Sequence, residues 1–429
     1  MKKMWIGGQA VDGDAGVAPL VSVNPASGEV NYEVAAAGAK AADMAVKVAD
    51  EAARDKKWRN MLPPARAAIL SRIADGMERR SEELARLQMI ENGKVWRECQ
   101  VQVKSAAATF RYYAAVCETT GSEVTPARGD YLSMSVYEPY GVVAAITPWN
   151  SPMTMEAQKV APALAAGNAV ILKPSEITPS TGLLLAEIAQ EAGLPAGILN
   201  VLPGTGQQVG AALVEHPRVR MVSFTGGTES GRRIAETAAR KLMPVALELG
   251  GKSPHIVFND APVDAAVAAL AGGIFEGSGQ SCVAGSRAFV QRGVYDEVVA
   301  KLSAVARSLK VDLPDVAGAE MGPLATFAHR DKVASMVESA RAAGADILAG
   351  GARPDGKQLE KGAYYLPTLI GGIDNNAAIA QQEIFGPVLC MIPFDDEDDL
   401  IEQANNSCFG LASGVWTRVH LRAWRVARA

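Results

Sequence analysis

The chain has 429 residues, 48% of them hydrophobic and 21% charged, with a net charge of −5. It is too long for one compact core, so two or more domains are expected; the composition is that of an ordinary soluble enzyme, and the lack of a basic block argues against nucleic acid as a partner. Its five cysteines (Cys99, Cys117, Cys282, Cys390, Cys408) and four histidines (His216, His255, His329, His420) are scattered without CxxC or HxxxH spacing, which speaks against a disulfide framework and a metal site and fits a reducing cytoplasm.

The N-terminal stretch MKKMWIGGQAVDGD has no apolar run of the kind a secretory signal carries. Residues 38–116 read as mostly helical, with strong periodicity in RAAILSRIADGMERRSEELARLQ (66–88). Residues 120–139, TGSEVTPARGDYLSMSVYEP, alternate in a strand-like way between Pro and Gly, as a hairpin arm or a surface loop would. A strand–helix rhythm follows. Its strand-like runs are GVVAAIT (141–147), NAVILKP (168–174), GILNVL (197–202), RMVSF (220–224) and PVALEL (244–249). They are apolar on both faces, as strands buried between helix layers are. Helical patterns lie between them at 155–167, 180–193 and 229–241. This order predicts an α/β fold, a Rossmann-like doubly wound parallel sheet. After a boundary near 250 a second α/β unit is expected, with strands HIVF (255–258), SRAFVQ (286–291), YLPTLIGG (365–372), PVLCMIPF (387–394) and GLASGVW (410–416). The most apolar window, AAVAALAGGIF (265–275), is too short to span a bilayer. Residues 419–429 carry a helical pattern without a terminating cap.

Five expected strand ends, PWN, KPSE, FTGGTESG, LELGG and GQSC, and one further glycine-rich turn carry candidate chemistry. TPWN (147–150) offers the Asn150 amide as an oxyanion donor, or a simple turn. KPSE (173–176) offers Lys173 and Glu176 for ribose hydroxyls, or an acid at its favoured helix N-terminus. GTGQQVG (204–210) approximates a dinucleotide fingerprint with its glycine spacing off by one, and FTGGTESG (224–231) is a strand-to-helix turn suited to a pyrophosphate. LELGG (247–251) sets Glu248 where open α/β sheets bind ligands, as a base or as a solvated strand-end acid. GGIFEGSGQSCVAGSRAF (272–289) surrounds Cys282 with small residues. The thiol is either a small buried hydrophobe or a nucleophile whose glycine neighbours, Gly277, Gly279 and Gly285, let a ligand approach the backbone.

Taken together, PWN, KPSE, FTGGTESG, LELGG and GQSC in chain order resemble the aldehyde dehydrogenase superfamily, supported by NPASGE (24–29), PALAAGNAVILKPSE (162–176), EIFGPV (383–388) and LASGVWT (411–417). The resemblance implies an NAD-binding domain at 1–118 and 140–250, an oligomerisation arm at 119–139 and a catalytic domain at 251–429. It implies oxidation of a small-molecule aldehyde to the acid by way of a Cys282 thiohemiacetal and thioester. Asn150 and the Cys282 N–H would hold the oxyanion, and Glu248 would activate water. The cofactor would be NAD rather than NADP, because the Glu176 carboxylate repels a 2′-phosphate. Cofactor contacts would come from Ile146, Trp149, Lys173, Glu176, Gly206, Gln207, Gly226, Gly227, Leu249, Glu383 and Phe385. Many relatives carry Ser where this chain has Gly227. Lys159 would belong to a proton path near Glu248 or be structural.

Ser151, Met155, Gln158, Ser281 and Val283 match pocket-lining positions, often bulkier in the family, which implies a roomier and partly polar pocket. The resemblance further implies a homo-oligomer, dimer or tetramer. Relatives continue for several dozen residues past this chain's end, through a loop at the substrate mouth and an intersubunit strand. The expectation here is therefore a C-terminally truncated catalytic domain and weakened assembly. Two other readings compete. One is a coenzyme A-acylating relative, against which Glu248 speaks; the other is a non-catalytic fold-mate, against which intact Cys282, Glu248 and Asn150 speak.

Overall fold

Five of the apolar runs read from the sequence lie side by side in one sheet. The computed structural model describes residues Met1–Ala429 and divides into two units. The first comprises Met1–Val23, Val30–Glu91 and Cys99–Glu248, the second Asn24–Glu29, Asn92–Glu98 and Leu249–Ala429.

The seven-stranded sheet of the first unit runs in the order Val245–Glu248, Val219–Thr225, Val142–Ile146, Ala169–Lys173, Leu199–Val201, Met4–Ile6, Gln9–Val11. The first five strands are parallel and the last two antiparallel. The chain lays down Val142–Ile146, moves outward twice, then returns to place Val219–Thr225 on the other side. Order therefore reverses between Val142–Ile146 and Val219–Thr225, the switch point at which open α/β sheets take ligands. Val142–Ile146 and Ala169–Lys173 are buried at every residue, as their unbroken apolar runs require. Helices Ala39–Arg54 and Pro152–Ala165 pack onto them.

Two features differ from the sequence reading. PVALEL is not buried on both faces: Val245–Glu248 alternates half-buried and exposed residues, because it is the edge strand with a single neighbour. The N-terminal strands were not anticipated, although Gly7 and Gly8 (φ 64° and 79°) form the two-glycine turn of a tight hairpin between Ile6 and Gln9. Residues Glu123–Val124 and Met134–Ser135 pair antiparallel, so the 120–139 stretch is a hairpin. It carries Val124, Leu132, Met134, Val136 and Tyr137 exposed.

In the second unit a six-stranded sheet runs Asp346–Ala349, Thr368–Gly371, Val388–Phe394, Arg287–Gln291, Pro254–Val257, Gly414–Trp416, all parallel except Asp346–Ala349. Asp346–Ala349, an antiparallel edge, is not among the strands expected from the sequence. The two faces sort by strand periodicity. Phe289, Val388, Cys390 and Ile392 join one hydrophobic cluster with Val333 and Val337. Ala288, Val290, Leu389 and Met391 join another with Leu270, Val298 and Leu302. No helix is long and apolar enough to cross a membrane.

The first unit also buries two carboxyl groups at the start of helix Ser180–Glu191. Glu91 accepts hydrogen bonds from Tyr32 Oη (2.9 Å) and Ser180 N (3.3 Å). Glu156 accepts from Thr181 Oγ1 (3.0 Å), and its Oε2 has no partner. Burial pushes Glu91 upward and Glu156 from 4.5 up to about 8, with Glu91 adding repulsion to the latter. Between these values the folded chain keeps the Glu156 proton that the unfolded chain releases. Stability therefore falls as pH rises from 4.5 through about 8 and then levels. Glu156→Gln is expected to flatten this slope and to be more stable than the parent above that window by about 1–3 kcal/mol. Denaturant unfolding across that pH range tests it; parallel curves for parent and variant would refute the assignment.

Candidate active site

At the carboxyl edge of the first unit's sheet, register places Ile146 beside Lys173 and Phe224, and Thr225 beside Glu248. Ile146, Lys173, Thr225 and Glu248 each end a strand, so the row follows from parallel strands stopping together. Lys173 Nζ donates to Glu176 Oε2 at 3.2 Å, with the lysine buried and the glutamate exposed. Burial lowers the Lys173 pKa and the Glu176 charge opposes that. Trp149 and Asn150 follow Ile146 and are half-buried. Gly206 and Gln207 are exposed in a wide turn after strand Leu199–Val201, capped by Thr205 Oγ1, which accepts from Gln208 N.

The Gly226–Gly227 turn opens helix Thr228–Arg240. Gly226 N donates to Glu248 O at 3.1 Å, and a Cβ on Gly226 would stand 2.6 Å from the Phe224 ring. Around Gly227 a Cβ would meet nothing within 4 Å, and no side chain caps the helix. The hydroxyls of Thr147, Thr225 and Thr228 are buried without partners. Uncapped N–H groups, open space and orphaned hydroxyls beside a switch point fit a phosphate-bearing dinucleotide. Lys159, on helix Pro152–Ala165, donates to Ser223 Oγ at 3.1 Å; burial lowers its pKa to about 8 while the Glu248 charge pulls it back up.

Ser151, Met155 and Gln158 succeed one another at the N-terminal side of that same helix, spaced to share a face. Ser151 and Met155 are half-buried and Gln158 is exposed. Ser151 Oγ also accepts from Gln102 Nε2 at 3.0 Å. Gln102 was missed because nothing local marks a helical glutamine as the neighbour of a residue far along the chain.

In the second unit, helix Val263–Phe275 ends in the tight turn Glu276–Gly279. Gly277, Ser278 and Gly279 are all left-handed, with φ of 59°, 57° and 71°. For Ser278 this costs about 1–2 kcal/mol. Ser278 Oγ donates to Gly322 O at 2.8 Å, Gln280 Nε2 donates to Gly277 O at 3.0 Å, and Gln280 Oε1 accepts from Ala325 N at 2.8 Å. Ala284 N donates to Ser281 O at 3.1 Å, closing a turn around half-buried Cys282 and exposed Val283.

The glycines here do not leave open space for a ligand, as the sequence reading expected. A Cβ on Gly279 would lie 2.1 Å from Gly386 O, one on Gly277 2.3 Å from Lys94 Nζ, and one on Gly285 2.6 Å from the His255 ring. They are small because protein occupies the place.

The two glycines after Glu248 have the same explanation. A Cβ on Gly250 would meet Glu383 Oε2 at 2.3 Å, and one on Gly251 would meet Cys282 O at 2.5 Å. Glu383 Oε1 accepts from Gly251 N at 3.2 Å; burial raises its pKa, offset by that bond and by Lys332 and Lys252. Phe385 holds φ 58°, and its carbonyl accepts from His329 Nε2 at 2.7 Å. Leu249 is half-buried. The Cys282 turn, Gly250–Gly251 and the EIFG segment thus pack on one another. Of the remaining cysteines, Cys99, Cys117 and Cys390 are buried and Cys408 is exposed, and none is in a disulfide.

Because Gly251 abuts the Cys282 carbonyl, Gly251→Ala is expected to displace the turn and slow alkylation of Cys282 by about tenfold or more, with helix content unchanged. Peptide-resolved alkylation rates check this; a parental rate would show that the turn does not depend on the contact.

The model of the "Aldehyde dehydrogenase family" matches residues 11–429. The 3,6-anhydro-alpha-L-galactose dehydrogenase of Streptomyces coelicolor is 42% identical over 425 residues, covering 98% of this chain and 84% of that protein. An Acinetobacter baylyi protein, (Z)-2-((N-methylformamido)methylene)-5-hydroxybutyrolactone dehydrogenase, is 40% identical, covering 100% of this chain and 86% of its own length. The crystal structure of a betaine aldehyde dehydrogenase from Staphylococcus aureus, holding NAD+ and a BME-modified cysteine, superposes with a TM-score of 0.97 at 36% identity, over 100% of this chain and 86% of that one. With its doubly wound sheet, its open helix N-terminus and a family match over nearly its whole length, this chain belongs to the aldehyde dehydrogenase family of aldehyde-oxidising enzymes.

Proposed function

We propose that the chain oxidises an aldehyde to its carboxylic acid with Cys282 as nucleophile, Asn150 as oxyanion donor, Glu248 as general base and NAD as cofactor. One observation carries the reading: a half-buried thiol presented by a strained turn that three other segments hold in place. The Cys282 thiolate adds to the aldehyde carbonyl, and the carbonyl π electrons become the oxyanion of a thiohemiacetal. The Cys282 N–H and the Asn150 amide stabilise that charge, each such donor contributing on the order of 3 kcal/mol. NAD, held by the residues named below, would supply the hydride acceptor needed for the adduct on Cys282 to reach the thioester level. Glu248 takes a proton from water, whose oxygen attacks the thioester and releases the acid and the thiolate.

Lys173 and Glu176 hold the adenosine ribose, with Ile146, Trp149, Gly206 and Gln207 along the cleft. Gly226, Gly227 and the N–H groups of helix Thr228–Arg240 take the pyrophosphate, and Leu249, Glu383 and Phe385 serve the nicotinamide ribose and ring. NAD+ in the Staphylococcus aureus relative supports this cofactor. The Glu176 charge favours NAD over NADP. An exposed Glu248 at the strand end favours hydrolysis over acyl transfer to coenzyme A. We assign Ser151, Met155, Gln158, Ser281 and Val283 to contacts with a bulky, partly polar aldehyde. We assign residues 1–118 and 140–250 to NAD binding, 251–429 to catalysis and the apolar hairpin at 119–139 to a homo-oligomer interface, which its exposed side chains support.

Cys282→Ser is expected to lower aldehyde-dependent NADH formation by about a thousandfold or more while NAD still binds. Glu248→Gln is expected to keep a first-turnover burst and lose about a hundredfold in steady turnover. Stopped-flow absorbance separates the two; steady turnover by Cys282→Ser would end the nucleophile assignment. Glu176→Ser is expected to narrow the NAD-over-NADP preference about tenfold, measured as the ratio of kcat/KM for the two cofactors.

A further inference from the structure

Lys94 and Glu98 have no part in the chemistry above, yet they meet the turn that carries the thiol. Both lie in the segment Asn92–Glu98 of the second unit. Their side chains are 8% and 14% exposed. Glu98 Oε1 accepts the Gly277 N–H at 2.9 Å, and Lys94 Nζ lies 3.7 Å from Glu98 Oε2. Lys94 Nζ also fills the place of a Gly277 Cβ, 2.3 Å from where that atom would be.

The segment that carries them is itself tied down. Lys94 N donates to Asn92 Oδ1 at 3.1 Å, and Trp96 N donates to Pro314 O at 2.8 Å. Gly277 is the first of the three left-handed residues. Its carbonyl accepts from both Gln280 N (3.2 Å) and Gln280 Nε2 (3.0 Å). A continuous path of hydrogen bonds therefore runs from Glu98 through Gly277 to Gln280, two residues before Cys282. A charged acceptor on a backbone N–H is among the stronger directional ties available in a protein interior.

We infer that Glu98, steadied by Lys94, is a positioning residue for the nucleophile: it locks the left-handed turn through the Gly277 N–H and so fixes where Cys282 points. This rests on the reading of Cys282 as nucleophile. Glu98 acts through the backbone rather than on the aldehyde or cofactor. The two glycines around Ser278 supply the conformation, and the hydrogen bond from the Gly277 N–H to Glu98 selects it.

Two conservative variants separate the hydrogen bond from the charge. Glu98→Gln keeps an acceptor at the Gly277 N–H and removes the charge. Glu98→Asp keeps the charge and withdraws the oxygen by one methylene. The rate of Cys282 alkylation by iodoacetamide is followed by peptide mass from about pH 6 to about pH 9, together with kcat, aldehyde KM and NAD Kd. Glu98→Gln is expected to stay within about threefold of the parent. Glu98→Asp is expected to slow alkylation and kcat about tenfold, with NAD Kd within about twofold.

A parental rate in Glu98→Asp, or a Glu98→Gln as slow as Glu98→Asp, overturns the inference. Should Glu98→Asp not fold, Lys94→Gln takes its place, with about a threefold slowing expected and a parental rate overturning it. Failure of the nucleophile reading is visible separately, as turnover that survives Cys282→Ser, whereas the alkylation contrast reads the loop whether or not turnover occurs.

Discussion

Gly251 and the Cys282 carbonyl stand so close that one added carbon would not fit between them, and the turn around Cys282 is packed on that closeness. The left-handed run at Gly277–Gly279 is unfavourable on its own. It persists because every segment around it presents a matching surface. Gly386 O lies against Gly279, Gly322 O takes the Ser278 hydroxyl, and Glu98 takes the Gly277 N–H. Close packing of this kind restricts the turn, and on the proposed reading of Cys282 that restriction is what would aim the thiol.

The first unit follows a different logic. Its candidate groups are not held by strain but delivered by regularity. Parallel strands in register end in a row, so Ile146, Lys173, Thr225 and Glu248 reach one edge without any special device. The helix N-terminus at Gly227 and the orphaned threonine hydroxyls add the polarity such an edge needs for an anion. Buried Glu91 and Glu156 sit behind this edge at the start of helix Ser180–Glu191. They bond the first turn of that helix through a pair of carboxyl groups whose burial opposes ionisation.

Much of the fold was legible because its signal is local. A run such as VVAAI or AVILK is buried on both faces, and only a strand between helix layers asks for that. The short strands Met4–Ile6, Gln9–Val11 and Asp346–Ala349 escaped notice because three or four residues hold too little periodicity to stand out. The exposure of Val245–Glu248 was misjudged because an edge strand and a central one can share the same letters. Nothing in the sequence marked Lys94, Glu98 or Gln102, since their meaning lies in partners that no local pattern names.

The amino-acid sequence by itself determined the α/β class, the strand ends that carry Asn150, Lys173 and Glu248, and the family; Cys282, expected at a strand end, lies instead in the turn that follows helix Val263–Phe275. Strand periodicity and short motifs are written in neighbouring residues and need no knowledge of the rest of the chain. Only the tertiary structure decided what the glycines around Cys282 do. In isolation they suggest room for a ligand; in the fold they are occupied by Lys94, His255 and Gly386. The Glu98–Gly277 bond spans 179 residues, and the space a missing side chain leaves can be assigned only when the segment that fills it is known.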